Sequence, residues 1–227
     1  MRTSLPSIEN SQVFIDFDGT LTTNDVIDQL IYRFSINDSW KEIEKLWVLQ
    51  EIGSRQCLSD ELALVRIDDE QLEVFLNSIQ LDAGAGALLK LFKRHDIPVT
   101  VLSDGIDYFI KRILERHGIG GLSIRCNKMV RKGEKIGLEF PYQQADCQAS
   151  AAHCKCASAC VLGVTGRKSI YIGDGRSDLC AARKAEVVFA KGELAKCLTK
   201  EGRSFYPFAT LGDICEVLTA AWAVGGK

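Results

Sequence analysis

Short apolar runs separated by amphipathic stretches set the pattern of this chain. Runs at 13–17, 99–102, 169–172 and 187–190 are rich in β-branched or aromatic residues, and polar or glycine-containing turns follow each of them. That pattern predicts buried parallel strands. A weaker run at 204–208 contains Pro207, which suits an edge strand better than a central one. Between the runs, apolar residues recur at helical spacing, as in Ala87, Leu88, Leu91 and Phe92, or Ile106, Phe109, Ile110, Ile113 and Leu114. A last helix is expected over 211–222. The alternation predicts an α/β fold built on a doubly wound parallel sheet.

Two segments break the alternation. Residues 24–80 carry helical patterns and no strand signal: Ile27, Leu30, Ile31 and Phe34, then Ile43, Leu46 and Trp47, then Leu72, Phe75, Leu76 and Ile79. They read as a helical insertion above the sheet, leaving 1–23 and 81–227 as the core. Residues 122–142 read as a β-hairpin turning at Lys132-Gly133-Glu134, with Arg125, Lys128, Arg131, Lys132 and Lys135 on a solvated face.

Composition narrows the function classes. The 227 residues are 46% hydrophobic and 26% charged, with a formal charge of −2. This is globular composition, and it argues against a nucleic-acid coat or a membrane-surface binder. There is no stretch of eighteen apolar residues, and the opening MRTSLPSIENSQ lacks an apolar core, so a cytoplasmic protein without a membrane span is expected. It is expected to act as a monomer or homodimer.

The candidate chemistry sits where the runs end. Asp16 and Asp18 follow the first run at i and i+2, a spacing that aims both carboxylates the same way at the C-terminal end of a strand. Ligands bind at that end in open α/β sheets. Paired carboxylates need a cation or a shared proton, and Mg²⁺ is the natural cation. A second acidic pair, Asp174 and Asp178, follows the run at 169–172. Two such pairs on separate strands are hard to explain as turns. Ser103 is expected to end a strand and open a helix, offering a hydroxyl and N–H groups to phosphate. Lys155 is the expected neutralising lysine. Lys168 enters its strand at the far end, about 13 Å from the carboxylates for four strand residues.

The set Asp16-x-Asp18-Gly19-Thr20, Ser103, Lys155 and Gly173-Asp174-Gly175-x-x-Asp178 resembles the haloacid dehalogenase superfamily in order and strand context. Asn24-Asp25, Ser103-Asp104-Gly105, Cys126-Asn127 and a Cys-rich stretch before Lys155 bring it nearer to the phosphoserine phosphatase-like branch and its methionine-salvage members. The resemblance implies a phosphatase with a helical cap, acting on a small phosphorylated metabolite. Asp16 would be the nucleophile and Asp18 the acid and base. Ser103 and Lys155 would bind the phosphoryl oxygens. Asp16, the Asp18 carbonyl and Asp174 would hold Mg²⁺, supported by Asp178. Thr20, Asp25, Asp104 and Gly105 are the implied substrate-side residues. Asp25 stands where phosphoserine phosphatases have Glu, and Asp104 where the salvage enzymes have Gly, so the substrate stays open. Asp18 favours phosphatase over dehalogenase, and a phosphomutase shares the other motifs.

Nine cysteines remain to be explained, and Cys147, Cys154, Cys156 and Cys160 cluster around His153. They read as partly buried free thiols, or as a Zn²⁺ site at Cys147, His153, Cys154 and Cys156. A zinc-binding interaction module without catalysis is therefore the rival from another class.

Overall fold

The computed structural model describes residues 9–147, 149–164 and 166–225. Its centre is β1 (Ser11–Ile15), buried at every position. Parallel neighbours flank it on both sides, β2 (Val99–Ile106) and β5 (Lys168–Gly173). Beyond β5 lie β6 (Val187–Ala190) and the two-residue edge strand β7 (Tyr206–Pro207). Beyond β2 lie β3 (Ser123–Lys132), parallel to it, and β4 (Lys135–Glu139), antiparallel to β3. The order is β4-β3-β2-β1-β5-β6-β7. The strand order reverses at β1, which opens a crevice at its C-terminal end.

Side-chain alternation along β1 builds two layers. Val13 and Ile15 join the larger core with α5 (Ala85–Arg94), α6 (Asp107–Arg116) and α10 (Leu211–Gly225), while Phe14 faces a smaller one with α8 (Leu179–Ala182) and α9 (Gly192–Lys200). Truncating a buried phenylalanine such as Phe14 costs about 3–5 kcal/mol in cores of this kind.

Between β1 and α5 run four further helices: α1 (Val26–Phe34), α2 (Trp40–Val48), α3 (Ser54–Leu64) and α4 (Asp69–Ser78). Helix α1 starts where the Asp25 side chain accepts from the Asp28 N–H at 3.0 Å, and its buried stripe is Val26, Ile27, Leu30 and Ile31. The capping box of Asp68 and Gln71 starts α4. Phe75 of α4 meets Phe109 of α6 edge-on at 6.5 Å, and Glu73 holds Tyr108 and Arg112 at 2.6 and 2.7 Å. The chain enters and leaves this segment side by side, with Thr22 bridged to Leu81.

Two boundaries differ from the sequence expectation. Strand β2 continues past its apolar run to Ile106, so Ser103 lies inside a strand and not at the mouth of α6. The first arm of the hairpin is a full member of the main sheet, with the register shifting between Leu102 and Ile106. Among the described residues, no helix is long and apolar enough to cross a membrane.

Candidate active site

The chain leaves β1 at Asp16 and makes a wide turn over Phe17–Leu21, closed by the Thr22 N–H to the Phe17 carbonyl at 3.0 Å. Gly19 is at φ +70° there, and a Cβ would come within 2.6 Å of Asp174 Oδ2. Glycine is therefore required by both conformation and close approach.

Asp16, Asp174 and Asp178 bring one carboxylate oxygen each within 4.8 Å of one another, the only such group of metal-ligating side chains among the described residues. Lys155, the first residue of α7 (Lys155–Leu162), is buried against them. Its Nζ is 2.7 Å from both Asp16 Oδ1 and Asp178 Oδ1. Burial opposes the ammonium charge, but the Asp16, Asp178 and Asp104 carboxylates outweigh it and raise the Lys155 pKa. Burial and the nearby Asp178 push Asp16 up, and Lys155 pulls it back. Asp178 accepts from Tyr171 Oη at 2.6 Å and from the Asp174 and Gly175 N–H groups at 3.0 Å, so its two oxygens meet four donors. That saturation fits a supporting role better than direct coordination.

Asp18 accepts from the Val26 N–H at 3.1 Å, which ties it to the root of α1, and from Ser103 Oγ at 3.1 Å. Burial, with Asp25 nearby, pushes its pKa up to about 8. Ser103 also accepts from the Gly105 N–H at 2.8 Å. A Cβ on Gly105 would stand 2.7 Å from Asp18 Oδ2.

The pocket beside these groups encloses about 170 Å³ and is lined by both Asp16 and Asp18. Asp25, Asp104 and Gly105 line it too. Two expectations need correction. Thr20 is fully buried and donates to Asp174 Oδ1 at 2.5 Å, so it orients that carboxylate and does not reach the pocket. The zinc site finds no support. His153 commits its ring nitrogens to the Ser103 carbonyl at 3.0 Å and Ser158 Oγ at 2.7 Å, and burial pushes its pKa down to about 4. Cys154 and Cys156 Sγ are 3.6 Å apart, but Cys147 and His153 do not complete a ligand set with them.

Asp104 lines the pocket and is also a brace. It accepts from Ser54 Oγ and the His153 N–H, each at 3.1 Å, and its carbonyl accepts from Asn127 Nδ2 at 2.6 Å. Sequence reasoning missed Tyr171 beneath Asp178, and it missed the pocket wall of Asp28, Glu44, Trp47 and Glu61. A signal for Glu61 was available: it falls one turn after Cys57 on the buried face of α3.

The family model for haloacid dehalogenase-like hydrolase matches residues 13–183. The chain belongs to this family. Among curated relatives, the 2-hydroxy-3-keto-5-methylthiopentenyl-1-phosphate phosphatase of Lysinibacillus sphaericus is 30% identical over 213 residues, covering 91% of this chain and 92% of that one. A phosphatase of the same name from an Exiguobacterium species is 31% identical, covering 90% and 95%. Among solved structures, a substrate-bound phosphoserine phosphatase superposes with a TM-score of 0.70 at 21% identity, over 92% of this chain and 99% of that one.

Proposed function

We propose that the protein is a Mg²⁺-dependent phosphatase that cleaves a small phosphate monoester through phosphoryl transfer to Asp16. The observation that carries this reading is Asp16 at the open end of β1, 2.7 Å from a buried Lys155 and two residues from Asp18. A carboxylate oxygen of Asp16 attacks phosphorus as the bond to the ester oxygen breaks, and Asp18 gives the departing alcohol its proton. Asp18 then takes a proton from water, which attacks phosphorus, and the bond to Asp16 breaks to release phosphate. Lys155 and the Ser103 hydroxyl are the donors beside the phosphoryl group.

The all-oxygen set of Asp16, Asp174 and the Asp18 carbonyl, backed by Asp178, fits a hard divalent cation. Bound there, Mg²⁺ would neutralise phosphoryl charge. Residues 24–80 serve as the cap over the pocket, excluding water from the bond being broken, and 1–23 with 81–227 form the catalytic core. The salvage ester that names the relatives is one candidate substrate, supported by their identity over nearly the whole chain.

The test is turnover of 4-nitrophenyl phosphate. EDTA should stop it and Mg²⁺ restore it, whereas full activity in metal-free buffer would refute the metal requirement.

A further inference from the structure

Lys155 stands between two thiols. Cys154 precedes it at the point where α7 begins, and Cys156 follows it in the first turn. The two sulfurs lie 3.6 Å apart, and the residue between them places its Nζ 2.7 Å from both Asp16 and Asp178. Both cysteines are free, Cys154 buried and Cys156 partly exposed. A disulfide holds its sulfurs at about 2.05 Å, so closing the 3.6 Å gap by about 1.5 Å would join them. The phosphatase reading uses neither thiol.

Access to the pair is separate from access to the active site. Cys156 lines a second cavity of about 330 Å³, walled by Phe14, Tyr171 and Ala181, which shares no lining residue with the active-site pocket. A reagent entering there reaches Cys156 without displacing substrate. Burial pushes the Cys154 pKa up to about 12, and burial with Cys180 nearby raises Cys156 while Lys184 opposes the rise. Both therefore stay protonated near neutral pH, and exchange is slow. What the short separation favours is the position of equilibrium, not the rate.

The backbone between the sulfurs carries the lysine. The Cys154 N–H donates to the Tyr142 carbonyl at 3.1 Å, and the Cys154 carbonyl accepts from the Ser158 N–H at 3.0 Å. A ring closed from Cys154 to Cys156 re-aims this first turn of α7, with Lys155 as its middle residue. A displacement of about 1 Å at a group that must meet the reacting atoms can cost about a hundredfold in rate.

We infer that Cys154 and Cys156 form a reversible disulfide that withdraws Lys155 from Asp16 and Asp178 and switches turnover off under oxidising conditions. The inference rests on the phosphatase reading and adds a control of the same site. Its oxidant is a low-molecular-weight disulfide of the glutathione type. Cys156 loses its proton to solvent and attacks one sulfur of the oxidant, whose S–S bond breaks to release one thiolate. Cys154 likewise loses its proton and attacks the Cys156 sulfur, and the second thiolate leaves. Both thiolates take protons from solvent. Two electrons pass from the cysteine pair to the oxidant, which becomes two thiols.

The experiment equilibrates the protein with Mg²⁺ in glutathione buffers from reduced to oxidised. Each sample is assayed with 4-nitrophenyl phosphate, alkylated, digested and mapped by mass spectrometry. In oxidising buffer a bridge should join Cys154 to Cys156, and turnover should fall about a hundredfold in step with it. Dithiothreitol should restore both. Cys156→Ser, and Cys154→Ser as a second variant, should keep their turnover in either buffer. Absence of this bridge, a bridge from Cys156 to Cys180 in its place, unchanged turnover in the bridged protein, or an equal loss in Cys156→Ser would overturn the inference and leave the phosphatase standing. If no ester is hydrolysed in reducing buffer, the phosphatase reading falls, and melting of the same samples decides the switch. A bridged form that melts lower than the reduced one, with Cys156→Ser unmoved, supports the withdrawal of Lys155 from its carboxylates. No bridge, or a bridge without that shift, ends it.

Discussion

The two walls of the pocket hold carboxylates under opposite conditions. At the strand ends, Asp16 and Asp178 share Lys155, Asp174 takes the Thr20 hydroxyl, and Asp178 collects Tyr171 and two N–H groups. On the helical wall, Asp28, Glu44 and Glu61 have no lysine or arginine partner among the described residues. The difference separates two uses of charge. Groups that must keep one geometry for bond-breaking are fixed by partners inside the fold. The carboxylates of the helical wall are instead left without a cation inside the fold, and burial pushes Asp28 and Glu61 towards their neutral forms.

The comparison can be broken at the strand-end wall first, where the effects are largest. Asp16→Asn should abolish turnover and leave the fold intact, read by 4-nitrophenyl phosphate hydrolysis beside a melting curve. Lys155→Ala should lower kcat about a thousandfold and destabilise the protein by about 3 kcal/mol, because Asp16 and Asp178 lose their shared cation. Gly19→Ala, forced against Asp174, should raise the Mg²⁺ concentration for half-maximal activity by about tenfold. An unchanged Mg²⁺ titration would remove the turn from the metal site.

The helical wall can be sharpened by pH. Glu61 holds its proton more tightly folded than unfolded, since burial pushes its pKa up to about 7. The stability this brings is present below the ordinary glutamate range and is lost as pH rises through about 7. Without ligand, Tm should therefore fall by a few degrees more between pH 5 and 8 in the wild type than in Glu61→Gln. Taking the difference between the two proteins removes His153, whose pKa is pushed down to about 4 and whose effect has the opposite sign. The smallest effect is expected for Lys168→Ala, at the N-terminal end of β5 and paired in register with Ser11. Turnover close to wild type is expected.

Strands β1, β5 and β6 were legible because each is a short apolar run closed by acidic or glycine residues. The far end of β2 was not. Ser103, Asp104 and Gly105 are polar or small and lie in the register shift between Leu102 and Ile106, where the Asn127 side chain of β3, a distant neighbour in sequence, donates to the Asp104 carbonyl. Lys155 was legible from topology alone, since the chain must return to the active edge before β5. Thr20 was misjudged because motif position says nothing about which way a hydroxyl turns. Of the two readings of the cysteine cluster, free thiols hold, and the zinc alternative fails because His153 is committed to Ser103 and Ser158. Glu61 sits among the charged residues of α3, and its spacing one turn after Cys57 was the signal that it faces inward.

The central claim is that Asp16 carries the phosphoryl group. Asp18→Asn protein, slowed in releasing phosphate, should be mixed with substrate and Mg²⁺, quenched in acid, digested and mapped by mass spectrometry. The account predicts a phosphate adduct on the peptide containing Asp16, absent when Asp16→Asn is added. An adduct on any other residue would contradict it.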